Sequence, residues 1–113
     1  MSIPYGRQSI SQEDIDAVVA VMKTDWLTMG PVVSEFEASI AGLAHTPDAT
    51  VVSSGTSALH CAYAALGVKS GDEVITSPLT FVATAATAMA QGAKVLFADV
   101  AEDTGNIDPA SVE

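Results

Sequence analysis

The residues best suited to chemistry in this 113-residue chain lie at positions 53–59, which read Ser-Ser-Gly-Thr-Ser-Ala-Leu. They follow the apolar run at 49–52 and open an apolar-periodic segment at 58–66. A strand, a turn of small hydroxyl residues and a helix start together favour phosphate binding. The turn exposes backbone N–H groups, Ser and Thr add hydroxyl donors, and the helix dipole favours an anion. The pattern therefore predicts a site for a phosphorylated small molecule.

The same turn has other interpretations. It fits an ordinary helix cap, because Ser and Thr are common cap residues. It is neither a Walker A loop, since no Gly-Lys-Ser/Thr follows, nor a G-x-G-x-x-G turn. A hydrolase with Ser57 as nucleophile stays open as an alternative, although the second glycine of G-x-S-x-G is absent after Gly55. A phosphate- or nucleotide-binding module without catalysis is a further alternative.

Composition limits the partners and the compartment. The formal charge is −10, from 14 acidic and four basic residues. Nucleic acids and anionic membranes are therefore unexpected partners, because both require clustered Lys and Arg. Cys61 is the single cysteine, so the chain cannot form an internal disulfide. Together with the lack of a signal-peptide pattern in residues 1–8, this predicts a cytoplasmic protein.

The remaining titratable residues do not suggest a metal site. His60 and Cys61 are neighbours on a predicted helix and point about 100° apart, so adjacency does not make them a ligand pair. His45 stands alone in a predicted loop. The acidic residues of 99–108 lack the ligand spacing of a calcium-binding EF-hand loop.

Apolar periodicity and turn residues predict the elements that position the phosphate turn. Ser11 and Asp14 form a capping-box pattern ahead of a first helix, and Pro31 suits the first turn of a second. Gly67 suits the position just after a third helix. From position 49 we predict a strand at 49–53, a helix at 56–66, a strand at 73–77, a helix at 81–91 and a strand at 94–98.

This alternation predicts an α/β layer with right-handed crossovers. Ligands bind beyond the carboxyl ends of such strands, which here are residues 53–57, residues 77–81 and Asp99. Phe81 adds an aromatic ring at one of these ends. Three strands alone would leave the sheet edges bare, so we expect a piece of a longer protein.

Six ordered segments, spread over nearly the whole chain, resemble the DegT-type nucleotide-sugar aminotransferases. The branch that makes pseudaminic acid precursors is the most similar, and the perosamine synthases are a second possibility. The segments are Ile3-Pro4-Tyr5, Trp26-Leu27-Thr28-Met29-Gly30-Pro31 with Phe36-Glu37, Ser53-Ser54-Gly55-Thr56-Ser57-Ala58-Leu59, Gly71-Asp72-Glu73-Val74-Ile75-Thr76, Ser77-Pro78-Leu79-Thr80-Phe81-Val82-Ala83-Thr84, and Asp99-Val100 with Asn106-Ile107-Asp108-Pro109.

The resemblance implies a fold and a cofactor. The fold is that of aspartate aminotransferase, a fold type I pyridoxal-phosphate (PLP) enzyme, and this chain would be the N-terminal part of its large domain, with an incomplete sheet. Residues 1–113 would form a single incomplete domain. An arm and two helices would occupy residues 1–48, and the PLP-binding large domain would start at 49–113. In such a sheet the strands at 49–53 and 73–77 are not direct neighbours.

The resemblance also assigns roles to individual residues. Thr56 and Ser57 would hold the cofactor phosphate, and Phe81 would stack on the pyridine ring. The residues implied near the sugar nucleotide are Tyr5, Asp25, Trp26, Leu27, Thr28 and Gly55.

The implied reaction moves an amino group from glutamate or glutamine to a nucleotide-linked 4-keto-6-deoxy sugar, in a homodimer that serves polysaccharide biosynthesis. The family's Schiff-base lysine and the carboxylate that pairs with the pyridinium nitrogen lie beyond residue 113. Lys23, Lys69 and Lys94 do not match the catalytic motif. We therefore expect no catalytic residue in this chain and no activity from it alone. Ala86 stands where relatives often carry Asn.

Overall fold

A computed structural model describes residues 6–113, so Tyr5 lies outside the described residues. The chain forms two compact units, one ending at Val51 and the other comprising Val52–Glu113.

Two helices make up the described part of the first unit. Helix α1 spans Gln12–Met22, and its start confirms the predicted capping box. The backbone N–H of Asp14 donates to Ser11 Oγ at 3.2 Å, and the N–H of Ser11 donates to Asp14 Oδ2 at 2.7 Å. The Ser11 hydroxyl also donates to Asp14 Oδ2, at 2.9 Å. The backbone N–H of Ser11 and, to a smaller extent, its hydroxyl stabilise the charged carboxylate, so they lower the pKa of Asp14.

Helix α2 spans Pro31–Ala44 and begins at the predicted proline. It ends at His45, which takes the left-handed conformation with φ of 55°. Apolar side chains recur at helical spacing on both helices, and most of them are exposed in this chain. These exposed residues are Ile15, Val18, Val19, Met22, Phe36, Ile40 and Leu43.

The predicted strand at 49–53 is wrong. These residues are irregular and pair with no strand within residues 6–113, including the strand at Glu73–Thr76. A strand needs a neighbouring backbone to accept its N–H groups. Here the N–H of Val51 instead donates to the side chain of Glu37, with 2.9 Å between nitrogen and Oε1.

The second unit contains the predicted alternation from helix to strand. Its elements are α3 at Gly55–Ala65, β1 at Glu73–Thr76, α4 at Ala83–Ala90, β2 at Lys94–Phe97 and a 3-10 helix at Pro109–Ser111. Strands β1 and β2 run parallel, with Glu73 opposite Lys94 and Thr76 opposite Phe97. Both strands are confirmed, one residue shorter than predicted. Gly67 follows α3 with φ of +76°, as the cap position requires.

Small side chains form the core of this unit. Helix α4 packs against α3 and against both strands. Its buried residues are Ala83, Thr87 and Ala88, and Ala93 and Ala98 flank β2. The Tyr63 hydroxyl donates to the carbonyl of Thr84 at 3.4 Å, which links α3 to α4. Alanine at these positions lets the helices and the sheet approach closely. In the described part of the chain, no helix has the length and apolar character needed to cross a membrane.

Candidate functional site

The first turn of α3 presents backbone N–H groups that donate to no other residue in the described part of the chain. Ser54 is the N-cap residue. Its Oγ accepts from the backbone N–H of Ser57 at 3.2 Å, and its carbonyl oxygen accepts from the backbone N–H of Ala58 at 3.0 Å. The N–H groups of Gly55 and Thr56 donate to no acceptor within residues 6–113. The cap therefore accounts for Ser54 and leaves two donors open at the helix N-terminus, where the dipole favours an anion.

Hydroxyl groups surround these open donors. The Ser57 Oγ lies 3.1 Å from Ser54 Oγ and 3.2 Å from Ser53 Oγ. At Gly55 an added Cβ would meet no atom within 4 Å, so the glycine leaves open space beside its own N–H. Two free N–H groups, the Thr56 and Ser57 hydroxyls and the helix dipole form a donor set that fits a phosphate group.

The hydrolase alternative finds no support in this turn. Within residues 6–113 the hydrogen-bond partners of the Ser57 hydroxyl are the two serine hydroxyls, and neither an imidazole nor a carboxylate is bonded to it. A serine nucleophile needs an adjacent general base. The turn is therefore equipped to bind an anion rather than to activate Ser57.

Phe81 lies in the same unit, between β1 and α4. The predicted helix start at 81 is two residues early, because α4 begins at Ala83 with Val82 as its N-cap. The Phe81 carbonyl accepts from the N–H of Thr84 at 3.1 Å, which closes a turn ahead of the helix. Its side chain is 66% exposed, so the ring is accessible for stacking on a planar ligand.

A cavity of about 400 Å³ lies between α3 and α4 and begins at the first turn of α3. Ala86, the position that departs from the resemblance, lines it together with Thr56 and His60. The amide nitrogen of Gln91 lies 3.2 Å from Nε2 of His60, a pairing that sequence periodicity gives no means of finding. Among the described residues, no three His, Cys, Asp or Glu side chains are grouped to hold a metal ion.

The turn between α1 and α2 brings together the predicted substrate residues of the first unit: Asp25, Trp26, Leu27 and Thr28. The Trp26 and Leu27 side chains are both exposed. The N–H of Trp26 donates to Thr24 Oγ1 at 3.2 Å, and that hydroxyl donates to the Val21 carbonyl at 2.8 Å. Gly55, also predicted to contact substrate, belongs to the second unit.

The three lysines lie in different local settings. Lys23 caps the end of α1. Lys69 lies in the turn before β1, where its N–H donates to Asp72 Oδ2 at 2.9 Å. Lys94 begins β2, and its ammonium group forms an ion pair with Glu73 at 2.7 Å.

Residues 8–113 match the DegT/DnrJ/EryC1/StrS aminotransferase family. The chain belongs to this family. Within it, the chain is 48% identical over 111 residues to a UDP-4-amino-4,6-dideoxy-N-acetyl-beta-L-altrosamine transaminase of Campylobacter jejuni, covering 98% of this chain and 29% of that one. It is 44% identical over 111 residues to the spore coat polysaccharide biosynthesis protein SpsC of Bacillus subtilis, covering 98% of this chain and 28% of that protein.

The fold agrees with that of solved members of the aminotransferase family. A putative sugar aminotransferase of Streptococcus pneumoniae, solved in its PLP form, superposes with a TM-score of 0.89 at 29% identity, covering 99% of this chain and 29% of that one. The predicted fold class, the N-terminal part of a fold type I large domain with an incomplete sheet, is confirmed. The chain spans less than a third of the length of these relatives.

Proposed function

We propose that the chain is the N-terminal part of a PLP-dependent aminotransferase that transfers an amino group from glutamate or glutamine to a nucleotide-linked keto-sugar. The observation that carries the proposal is the first turn of α3, where the open N–H groups of Gly55 and Thr56 lie beside the Ser57 hydroxyl. This donor set stands in a chain that belongs to a family of aminotransferases.

In this proposal Thr56 and Ser57 bind the phosphate of PLP through hydroxyl and backbone N–H groups. The Phe81 ring lies against the pyridine ring and fixes its plane. When bound, PLP supplies the electron sink that stabilises negative charge at the substrate carbon. The residues of this chain hold and orient the cofactor.

The substrate side of the proposal assigns the nucleotide sugar to Tyr5, Gly55 and the turn containing Asp25, Trp26, Leu27 and Thr28. The exposed Trp26 and Leu27 side chains give this turn an apolar surface suited to a ring. The similarity to a protein named as a UDP-amino-sugar transaminase supports a nucleotide-linked 4-keto-6-deoxy sugar as the amino acceptor. We further propose a cytoplasmic homodimer.

We also propose that no lysine of this chain holds the cofactor covalently, so that residues 1–113 alone are inactive. Lys94 supports this proposal because its ammonium group pairs with Glu73 at 2.7 Å at the start of β2, away from the predicted cofactor residues. Lys23 and Lys69 lie at a helix end and in a turn, outside the predicted cofactor residues.

Borohydride reduction of the full-length protein with PLP tests the proposal, because reduction fixes the cofactor to the lysine that carries it. Peptide mapping by mass spectrometry should find the pyridoxyl group on a lysine outside residues 1–113. A label on Lys23, Lys69 or Lys94 would contradict the lysine assignment. No label at all, with phosphate binding retained, would favour a binding module without catalysis.

A further inference from the structure

We propose that Gly30 is a positioning residue that fixes Trp26 for contact with a ring of the nucleotide sugar; this inference rests on the proposed function. A Cβ added at Gly30 would lie 2.9 Å from Trp26 Cβ and 3.0 Å from the Trp26 carbonyl oxygen. Real Cβ atoms essentially never approach another atom to within less than 3.0 Å, and 3.0 Å is itself an unusually tight contact. Any side chain at position 30 would therefore push the Trp26 backbone away.

The backbone conformation of Gly30 does not itself require glycine. Its φ of −79° and ψ of 178° are extended values that any residue adopts. The requirement for glycine at position 30 therefore comes from the contact with Trp26. Replacement by alanine would move Trp26 without introducing conformational strain at position 30.

Other contacts hold the same turn at both ends. At one end, Thr24 Oγ1 accepts from the Trp26 N–H at 3.2 Å. At the other, Pro31 has a fixed φ and begins α2 directly after Gly30. Between them Met29 takes a left-handed φ of 50°, which is unusual for a residue with a side chain. These features constrain the turn, and Gly30 is the point at which its two ends touch.

A pocket of about 300 Å³ opens beside this contact, lined by Trp26, Met29, Gly30, Pro31 and Ser34. The Trp26 side chain is 64% exposed, which leaves the indole accessible. A pocket of this size admits one ring, and an indole face stacks on the flat face of a nucleobase or on the C–H face of a pyranose. Gly30 acts on this ring through the backbone position of Trp26.

Steady-state kinetics of the full-length holoenzyme test the proposal. Gly30→Ala should raise KM for the nucleotide sugar about tenfold, since a ring contact of this kind contributes about a factor of ten in affinity. It should leave kcat and the half-reaction with the amino donor within about twofold, because glutamate and glutamine carry neither a nucleobase nor a sugar ring for the indole to contact. Gly42→Ala is the matched control: it is the same substitution in α2, and its added Cβ meets no atom within 4 Å.

Calorimetric titration distinguishes the two possible rings. If the indole contacts the base, Gly30→Ala should weaken binding of the free nucleoside diphosphate as much as that of the nucleotide sugar. If it contacts the sugar ring, the nucleoside diphosphate should bind normally and the nucleotide sugar weakly. Either pattern supports positioning by Gly30.

Three outcomes would overturn the proposal. They are equal effects of Gly30→Ala and Gly42→Ala, equal loss in the donor half-reaction, and normal nucleotide-sugar binding by the variant. If Gly30→Ala does not fold, the Trp26→Ala variant tests the proposal instead. Unchanged affinity of Trp26→Ala for the nucleotide sugar would also overturn the proposal. Wild-type enzyme that binds no nucleotide sugar would instead contradict the proposed function.

Discussion

The carboxylate of Glu37 accepts a hydrogen bond from the backbone N–H of Val51, with 2.9 Å between Oε1 and the nitrogen. Glu37 lies within α2, and Val51 lies in the irregular segment that precedes the second unit. The side chain satisfies an N–H that a neighbouring strand would otherwise bond. One carboxylate thus fixes a segment whose apolar residues alone predict a strand.

Glu37→Ala should destabilise the full-length protein by about 1 kcal/mol, because one intramolecular hydrogen bond is lost. Glu37→Gln should retain most of the stability, since the amide oxygen can still accept. Hydrogen–deuterium exchange should show faster exchange at the Val51 amide in the alanine variant. Glu35→Ala, in the same helix, is the control, and an equal effect from it would show that the Val51 bond is unimportant.

Gly92→Ala should destabilise the protein by more than Gly67→Ala. Both glycines have positive φ, +90° and +76°, so each alanine incurs a strain of about 1–2 kcal/mol. At Gly92 the new Cβ would also lie 3.2 Å from the Ser70 nitrogen, whereas at Gly67 it would meet nothing within 4 Å. Thermal unfolding of both variants measures the difference. Equal melting temperatures would mean that Ser70 moves aside freely.

The capping box of α1 should stabilise the helix in a pH-dependent way. Its bonds lower the pKa of Asp14 in the folded state, so their contribution is present above the unfolded pKa of about 4 and is lost as pH falls through the folded value. Ser11→Ala should therefore speed amide exchange in α1 at neutral pH, relative to wild type. The ratio of the two exchange rates should shrink below about pH 4.

Ser39→Ala provides the control for this pH dependence. The Ser39 hydroxyl donates to the Glu35 carbonyl at 2.9 Å, a bond that involves no ionisable group. Ser39→Ala should therefore change amide exchange in α2 by the same factor at each pH. A constant ratio for Ser11→Ala as well would show that the Ser11 hydroxyl does not stabilise the charged Asp14 carboxylate.

Local signals in the sequence were sufficient for much of this fold. The Ser11–Asp14 box, Pro31 at a helix start and Gly67 after a helix each act within one turn of chain, and the structure confirms all three. The sequence also predicts strands β1 and β2, because each is a short apolar run bounded by turn residues. The two strands pair with each other within the same unit.

The sequence pattern does not predict features that depend on residues far away along the chain or on side-chain contacts. Residues 49–53 have the composition of a buried strand, but a strand forms only where a neighbouring backbone accepts its N–H groups. Neither the Glu37–Val51 bond nor the Gly30–Trp26 contact leaves a periodic signal in the sequence. The turn pattern predicts a phosphate site at Thr56 and Ser57, the family resemblance alone implies the stacking role of Phe81, and all three roles stay predictions.

Binding of PLP compared with pyridoxal, which lacks the phosphate, tests most directly whether Thr56 and Ser57 hold the cofactor phosphate. In the full-length protein, Thr56→Ala and Ser57→Ala should each raise the apparent Kd for PLP about tenfold, as the loss of a hydrogen bond to a charged group requires. The Kd for pyridoxal should change less than twofold, and Thr80→Ala should affect neither ligand. Unchanged PLP binding, or equal weakening of PLP and pyridoxal, would contradict a phosphate site at the start of α3.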